Sequence, residues 1–212
     1  ERELHFNYYA AQAMLARVYW MKGDLKNAKL YADKVIRSGK FTFVDKNALG
    51  TFMKRRVSLS ETIWGLYTTN ISVYLFDKQL KSNVLKLPST YANVYKISGE
   101  NAGEKDEREK KWFMRKDFEG SLKDVCIKIM DENNDVSPYT GGGYFGLSMI
   151  RLPEMYYIMA EALLEEGNAG KARVYLDSVV AARGLVKFAD REFEREITID
   201  DIMNEWHKEF YG

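Results

Sequence analysis

The chain has 212 residues, 46% of them hydrophobic and 30% charged, with a formal net charge of +1 at pH 7. That balance suits a globular domain with a sizeable core and argues against nucleic-acid binding, which needs a basic stripe that does not occur. The single cysteine excludes an internal disulfide framework, and no apolar run reaches the roughly 18 residues of a membrane-spanning helix.

In chain order, Leu4 to Met21 reads as a helix, with Phe6, Tyr9, Ala10, Ala13, Met14, Arg17 and Val18 in register. Gly23 and Asp24 turn it, Leu25 to Arg37 returns, and Ser38-Gly39 stops the second helix, with Gly39 as a left-handed cap. Phe41 and Phe43 suggest a short extended piece, and Asn47 to Arg55 a short helix. Lys54, Arg55 and Arg56 read as a solvated rim. The segment SETIWGLYTTNISVYL, residues 60–75, is β-rich and reads as extended. Its Asn70-Ile71-Ser72 triplet fits a glycosylation acceptor, which matters only in a secretory host.

Residues 98–111, SGENAGEKDEREKK, are almost wholly polar and read as a solvated linker or exposed helical turn. Cys126 to Ile129 is a short strand candidate, with Cys126 a buried structural thiol. Asp131 to Asp135 resembles part of a calcium loop but lacks its turn glycine and terminal glutamate. Glycines 141–143 lack the Lys-Ser or Lys-Thr and the βαβ frame of a phosphate cradle, so residues 137–146 read as a Gly-rich loop carrying Tyr139, Tyr144 and Phe145.

The second clear helical hairpin runs from Arg151 to Leu185. Met155, Ile158, Met159, Ala162 and Leu163 form one stripe, Gly167-Asn168 breaks it, and Ala172, Leu176, Val179 and Val180 form another. Superimposing Gly23 on Gly167 places Ala16 on Ala160, Ala28 on Ala172, Ala32 on Leu176 and Val35 on Val179. This is the tetratricopeptide arrangement, with small residues where the helices cross. The offset far exceeds a tandem period, so a long insertion separates two hairpins that should stack, since one hairpin cannot bury its own apolar face. After a charged connector, Thr198 and Asp201 form an approximate capping box for a last amphipathic helix with Ile202, Met203, Trp206 and Phe210. The fold expected is mainly α: tetratricopeptide-like hairpins at 4–38 and 152–183, an irregular insert with short strands at 40–150, and a last helix at 199–211. With no initiator methionine and helices close to both ends, the chain reads as an interior piece of something longer.

Recognisable chemistry is absent. His5 and His207 lie in opposite terminal helices with no ligand spacing, and no G-x-S-x-G, H-E-x-x-H or C-x-x-C occurs. Glu154, Glu161, Glu165 and Glu166 share one helix, which does not supply the facing carboxyls of a glycosidase. Arg17 and Glu161 occupy equivalent hairpin positions and suggest a structural ion pair or a satisfied polar contact.

RLPEMYYIMAEA, Arg151 to Ala162, resembles the signature of the SusD/RagB family, matching it at Arg151, Glu154, Ala160, Glu161 and Ala162. Leu176 to Leu185 is similar to that family's Leu-Asn-x-Val-Arg-x-Arg-x-Gly-Leu, with Asp177 for the asparagine, Val180 and Ala182 for the arginines, and Arg183 taking over part of the lost charge. Asp106-x-Arg108 resembles its Asp-x-Arg, and EWHKEFYG, residues 205–212, its Glu-Arg-x-x-Glu-Phe-x-Gly, with Trp206 in place of arginine. Ala11 to Tyr19, Gly23-Asp24 and Ala32 to Ile36 resemble its earlier hairpin.

The resemblance implies a surface-exposed outer-membrane lipoprotein of Bacteroidetes, anchored through an N-terminal lipid outside this sequence. Such a protein binds an oligosaccharide or other nutrient without chemistry, cofactor or metal, and delivers it to a TonB-dependent (SusC-like) transporter. The alternatives are a tetratricopeptide-like scaffold that binds a partner protein and, more remotely, a glycoside hydrolase with paired carboxylates. Sugars stack their C–H faces on aromatic rings. The rings least explained by helix periodicity are Trp64, Tyr67, Tyr74, Tyr91, Trp112, Tyr139 and Tyr144. Of these, Tyr139, Tyr144, Trp112, Trp64 and Tyr67 are the expected ligand-binding residues, with Tyr139 and Tyr144 foremost because burial is hard to achieve beside a glycine run.

Overall fold

A computed structural model describes residues 2–49, 60–68, 91–95, 106–126, 128, 146–191 and 195–211, with the backbone alone at 91, 92, 114, 116 and 118. Its helices are α1 (Tyr8–Met21), α2 (Leu25–Arg37), α3 (Glu107–Trp112), α4 (Leu152–Glu165), α5 (Ala169–Ala182) and α6 (Ile199–Phe210). Its strands are β1 (Thr62–Tyr67), β2 (Phe113–Phe118), β3 (Ser121–Cys126) and β4 (Gly146–Arg151).

The two hairpins are built by the same turn chemistry. At the end of α1, Gly23 adopts φ 75°, its N–H donates to Trp20 O, and Asp24 N–H donates to Tyr19 O, both at 2.9 Å. At the end of α4, Gly167 adopts φ 73°, and its N–H and that of Asn168 donate to Leu164 O and Leu163 O, again at 2.9 Å. This pair of bonds is the Schellman closure, which needs a left-handed residue and therefore favours glycine. Asp24 and Asn168 then cap the returning helices through the N–H groups of Asn27 and Lys171.

The hairpins stack as the repeat pattern requires. Helix α2 packs against both α1 and α4, and α4 against α5. Ala13, Ala16, Ala28, Ala32, Ala160 and Ala172 are fully buried, so the backbones approach closely around Met155, Ile158, Leu176, Val179 and Val180. Helix α6 leans on α4 through Ile202, Trp206 and Phe210, and Trp206 stacks between Trp20 at 4.6 Å and Tyr157 at 5.5 Å. Its start carries the complete Thr198–Asp201 capping box.

Two antiparallel ribbons complete the frame. β1 pairs with β4, with irregular register at Thr62–Gly65, and the ladder carries β4 straight into α4. β2 and β3 form a hairpin closed by Glu119 and Gly120, whose φ values of 52° and 76° suit a type I′ turn. Trp112, Phe113 and Cys126 join Leu49 and Tyr95 in a second, smaller core.

Several local expectations are corrected. The first helix starts at Tyr8, because Asn7 caps it by accepting from Tyr9 and Ala10 N–H, and Arg2–Leu4 forms a separate 3-10 turn. His5 is accordingly exposed outside the helix, whereas His207 is exposed on α6. Residues 41–45 are irregular rather than a strand; of the expected short helix at 47–55, only residues 47–49 are described, in a 3-10 turn at Lys46–Ala48 with Leu49 beside it, and 50–55 lie outside the described residues. Cys126, buried as expected, ends strand β3 instead of opening one. Arg17 pairs with Glu154, at 2.5 and 2.6 Å, and not with Glu161, which accepts from Trp20 Nε1–H at 2.7 Å. The end of the polar segment 98–111 is no solvated linker: Asp106 and Arg108 are 0% exposed. Residues 54–56, 70–72, 131–135 and 137–145 lie outside the described residues.

Candidate functional site

Most of the buried charges among the described residues converge on the C-terminal half of α6. Glu209, fully buried, accepts from Arg151 Nη1 at 2.6 Å, from Arg183 Nε and Nη2 at 2.9 Å each, and from Arg108 Nη1 at 3.3 Å. Arg183 extends its other edge to Glu61 at 2.9 and 3.0 Å. Arg108 grips Asp106 in bidentate fashion and reaches Glu205 at 2.6 Å. Planar guanidinium forks allow one arginine to bridge two carboxylates, which a lysine ammonium cannot do with the same geometry.

The same cluster closes the end of α6. Arg151 Nη2 and Lys128 Nζ donate to Glu209 O at 2.9 and 2.6 Å, and Tyr95 OH donates to Lys208 O at 2.8 Å. Carbonyls of a helix's last turn lack intrahelical partners, and cations there complement the helix dipole. The residue before β1, the start of α3, the end of β4, the residue after α5, helix α6 and the segment after β3 are thus tied at one point.

Electrostatics fixes what this cluster can do. Burial alone would raise the Glu209 carboxyl, but Arg183, Arg151 and Arg108 outweigh it and hold it far below the usual carboxylate range. Glu205 is likewise raised by burial and lowered further by Arg108 and Lys208, with a net downward shift. Both carboxylates stay ionised near neutrality, so neither stores a proton for acid catalysis. Lys128 is the opposite case: burial, then Arg151, lower it to about 7.

The aromatic candidates separate into two places. Trp64 and Tyr67 share β1. The Trp64 ring is half-buried and meets Phe6 edge-on at 5.3 Å. Tyr67 is 64% exposed and sits opposite Gly146, where β4 begins. Phe6 and Tyr8 are 56% and 65% exposed, so this end of the β1–β4 ribbon and the chain leading into α1 present several rings to solvent. Trp112 stands apart: it is fully enclosed, with Lys128 Nζ 4.5 Å from its ring, and offers no face to a ligand in this conformation. Tyr74, Tyr139 and Tyr144 lie outside the described residues, and Tyr91 opens a 3-10 turn. Sequence reasoning passed over Phe6 and Tyr8 because both fell inside the helix read over 4–21, Phe6 among its in-register residues, whereas α1 starts only at Tyr8.

Among the described residues no group of three or more histidine, cysteine or acidic side chains is arranged to hold a metal ion, and no helix is long and apolar enough to cross a membrane.

The comparisons with known proteins agree with this architecture. A SusD superfamily protein from Bacteroides thetaiotaomicron is similar over 98% of this chain and 48% of its own, with a TM-score of 0.73 and 21% identity. A SusD-like carbohydrate binding protein from Bacteroides vulgatus is similar over 100% and 44%, with a TM-score of 0.71 and 16% identity. Surface glycan-binding protein A from Bacteroides uniformis is similar over 94% and 46%, with a TM-score of 0.60 and 17% identity. The chain therefore spans about half the length of these structures. No match is found among curated proteins. The model of the SusD family matches residues 94–212, more than half of the sequence and including Asp106, Arg108, Arg151, Arg183, Glu205 and Glu209; the chain belongs to the SusD family.

Proposed function

We propose that the protein captures an extracellular oligosaccharide without chemical change and delivers it to a TonB-dependent, SusC-like transporter at the outer membrane, where an N-terminal lipid holds it on the cell surface. Membership of the SusD family supports the class, and two of the similar structures carry the names carbohydrate binding protein and glycan-binding protein. The buried carboxylates favour binding over hydrolysis, because a glycosidase acid must retain its proton near neutrality and Glu205 and Glu209 are shifted the other way.

The observation that carries the site is the aromatic end of the β1–β4 ribbon. Tyr67 is exposed, Trp64 is half-exposed and braced by Phe6, and Gly146 opposite Tyr67 follows Tyr144 by two residues in the sequence. Rings held rigidly at a surface offer a stacking platform at low entropic cost. Trp64, Tyr67, Tyr139 and Tyr144 form the proposed platform. Trp112, fully enclosed, lies outside this platform.

Affinity electrophoresis through gels containing individual polysaccharides tests this reading. Retardation by at least one glycan is expected, abolished by the Trp64→Ala/Tyr67→Ala pair and reduced by Tyr144→Ala, with helical circular dichroism unchanged. Retardation that survives all of these substitutions would remove the ribbon end from the site.

A further inference from the structure

A groove of about 620 Å³ lies away from the aromatic ribbon, between α2 and α5 with α4 as its floor. We infer that it is a second ligand site, built for a short acidic oligosaccharide with hexuronate carboxylates. The ligand class rests on the glycan-binding reading above, whereas the location does not.

Charge argues for the anion. Lys26, Lys29, Arg37 and Lys171 line the groove against two acids, Asp33 and Glu166. Lys29 is paired with Glu166, and Arg37 with Asp33 at 2.8 Å. Lys26 on α2 and Lys171 on α5 have no carboxylate within ion-pair distance among the described residues, and both are exposed. The groove thus has an exposed ammonium outside any ion pair among the described residues on each of two walls, Lys26 acting only at longer range on Asp24, an arrangement that suits a ligand with separated negative charges.

Shape argues for a sugar rather than a peptide. The floor residues Met159 and Leu163 are only 4% and 7% exposed, which leaves Leu30, 49% exposed on the α2 wall, as the one accessible aliphatic side chain of the lining, less than an apolar peptide face needs. Tyr175, half-buried and braced by Tyr156 at 5.7 Å, supplies a ring for a flat C–H face. Asn27, together with the carboxylates of Asp33 and Glu166, can take hydroxyl hydrogens. The volume falls within the usual range for small-ligand sites.

Isothermal titration calorimetry on the chain, with trigalacturonate as probe at low salt, tests the inference. Binding is expected, weakened about tenfold by Lys26→Gln/Lys171→Gln, weakened by Tyr175→Leu and by added salt, and unaffected by Trp64→Ala/Tyr67→Ala. The fully methyl-esterified trisaccharide, the same sugar chain without its charges, should bind at least tenfold more weakly. Equal affinity for the ester, equal affinity for hexaglutamate, or indifference to the lysine pair would overturn the inference. Binding of neutral glycans with no heat from trigalacturonate would overturn the groove alone, leaving the ribbon site standing. Loss of trigalacturonate binding through Trp64→Ala/Tyr67→Ala would move the acidic ligand to the ribbon.

Discussion

Arg183 is the residue on which the charged cluster depends most, and replacing it with methionine keeps volume while removing the charge. Its guanidinium makes four hydrogen bonds, two to Glu61 and two to Glu209, and all three side chains are at most 1% exposed. Without it, Glu209 keeps Arg151 and Arg108, while Glu61 keeps Arg151 only at 3.5 Å. Removing one partner of a buried pair leaves an uncompensated charge and costs ~3–5 kcal/mol. Urea unfolding followed by circular dichroism at pH 7 should therefore show Arg183→Met losing about that much, as a lower midpoint with unchanged slope. Glu61→Leu should be costly for the mirror reason. The double variant should recover ~1–3 kcal/mol relative to the sum of the singles, because the charge each single strands is then absent. A loss below ~1 kcal/mol for Arg183→Met, or additivity within ~0.5 kcal/mol, would refute the argument that these charges hold one another in place.

Three further outcomes follow from the same geometry. Glu205 and Glu209 are depressed below their ordinary value, so the stability they supply is present above the unfolded carboxyl pKa of about 4.3 and is lost as pH falls through their folded values; thermal melts across pH 2–6 should show that loss, and a flat profile would contradict it. Lys128 is lowered to about 7, so between there and its unfolded value of about 10.4 the unfolded chain binds more protons and stability rises with pH; the melting temperature should climb from pH 6.5 to 9.5, and Lys128→Met should flatten that climb. Gly167→Ala has open space around the new methyl but a φ of 73°, so it should cost about 1 kcal/mol through backbone conformation alone, measured by the same urea titration, and no loss would mean the Schellman turn relaxes.

The sequence shows its architecture where the determinants are local. Gly23 and Gly167 mark turns whose hydrogen bonds close within five residues, and alanines at fixed offsets from them become the helix crossings. The Thr198–Asp201 box is equally local. Arg108 is the opposite case. Its neighbours are almost all polar, so composition points to solvent, yet its burial is decided by Glu205 and Glu209, 97 and 101 residues away. The motif fragments around Arg108, Arg151, Arg183 and Glu205–Glu209 pointed individually to the family; their meeting in one cluster is a tertiary fact that no spacing encodes. Asp177 illustrates the same limit on a smaller scale: it stands where the family has asparagine, and its carboxylate accepts from Phe188 and Ala189 N–H to fix the turn after α5. At the candidate site, the Phe6–Trp64 contact joins segments 58 residues apart, and helical periodicity assigns Phe6 to the wrong element.

The central claim, capture without chemistry, is tested most directly by recovering the ligand. The chain is incubated at neutral pH with each glycan that retards it, the complex is isolated by gel filtration, and the released carbohydrate is sized by chromatography beside an untreated sample. The account predicts a saturable complex from which the glycan returns at its original length after prolonged incubation. Shortened products that accumulate with time and vanish on substitution of a carboxylate would contradict it.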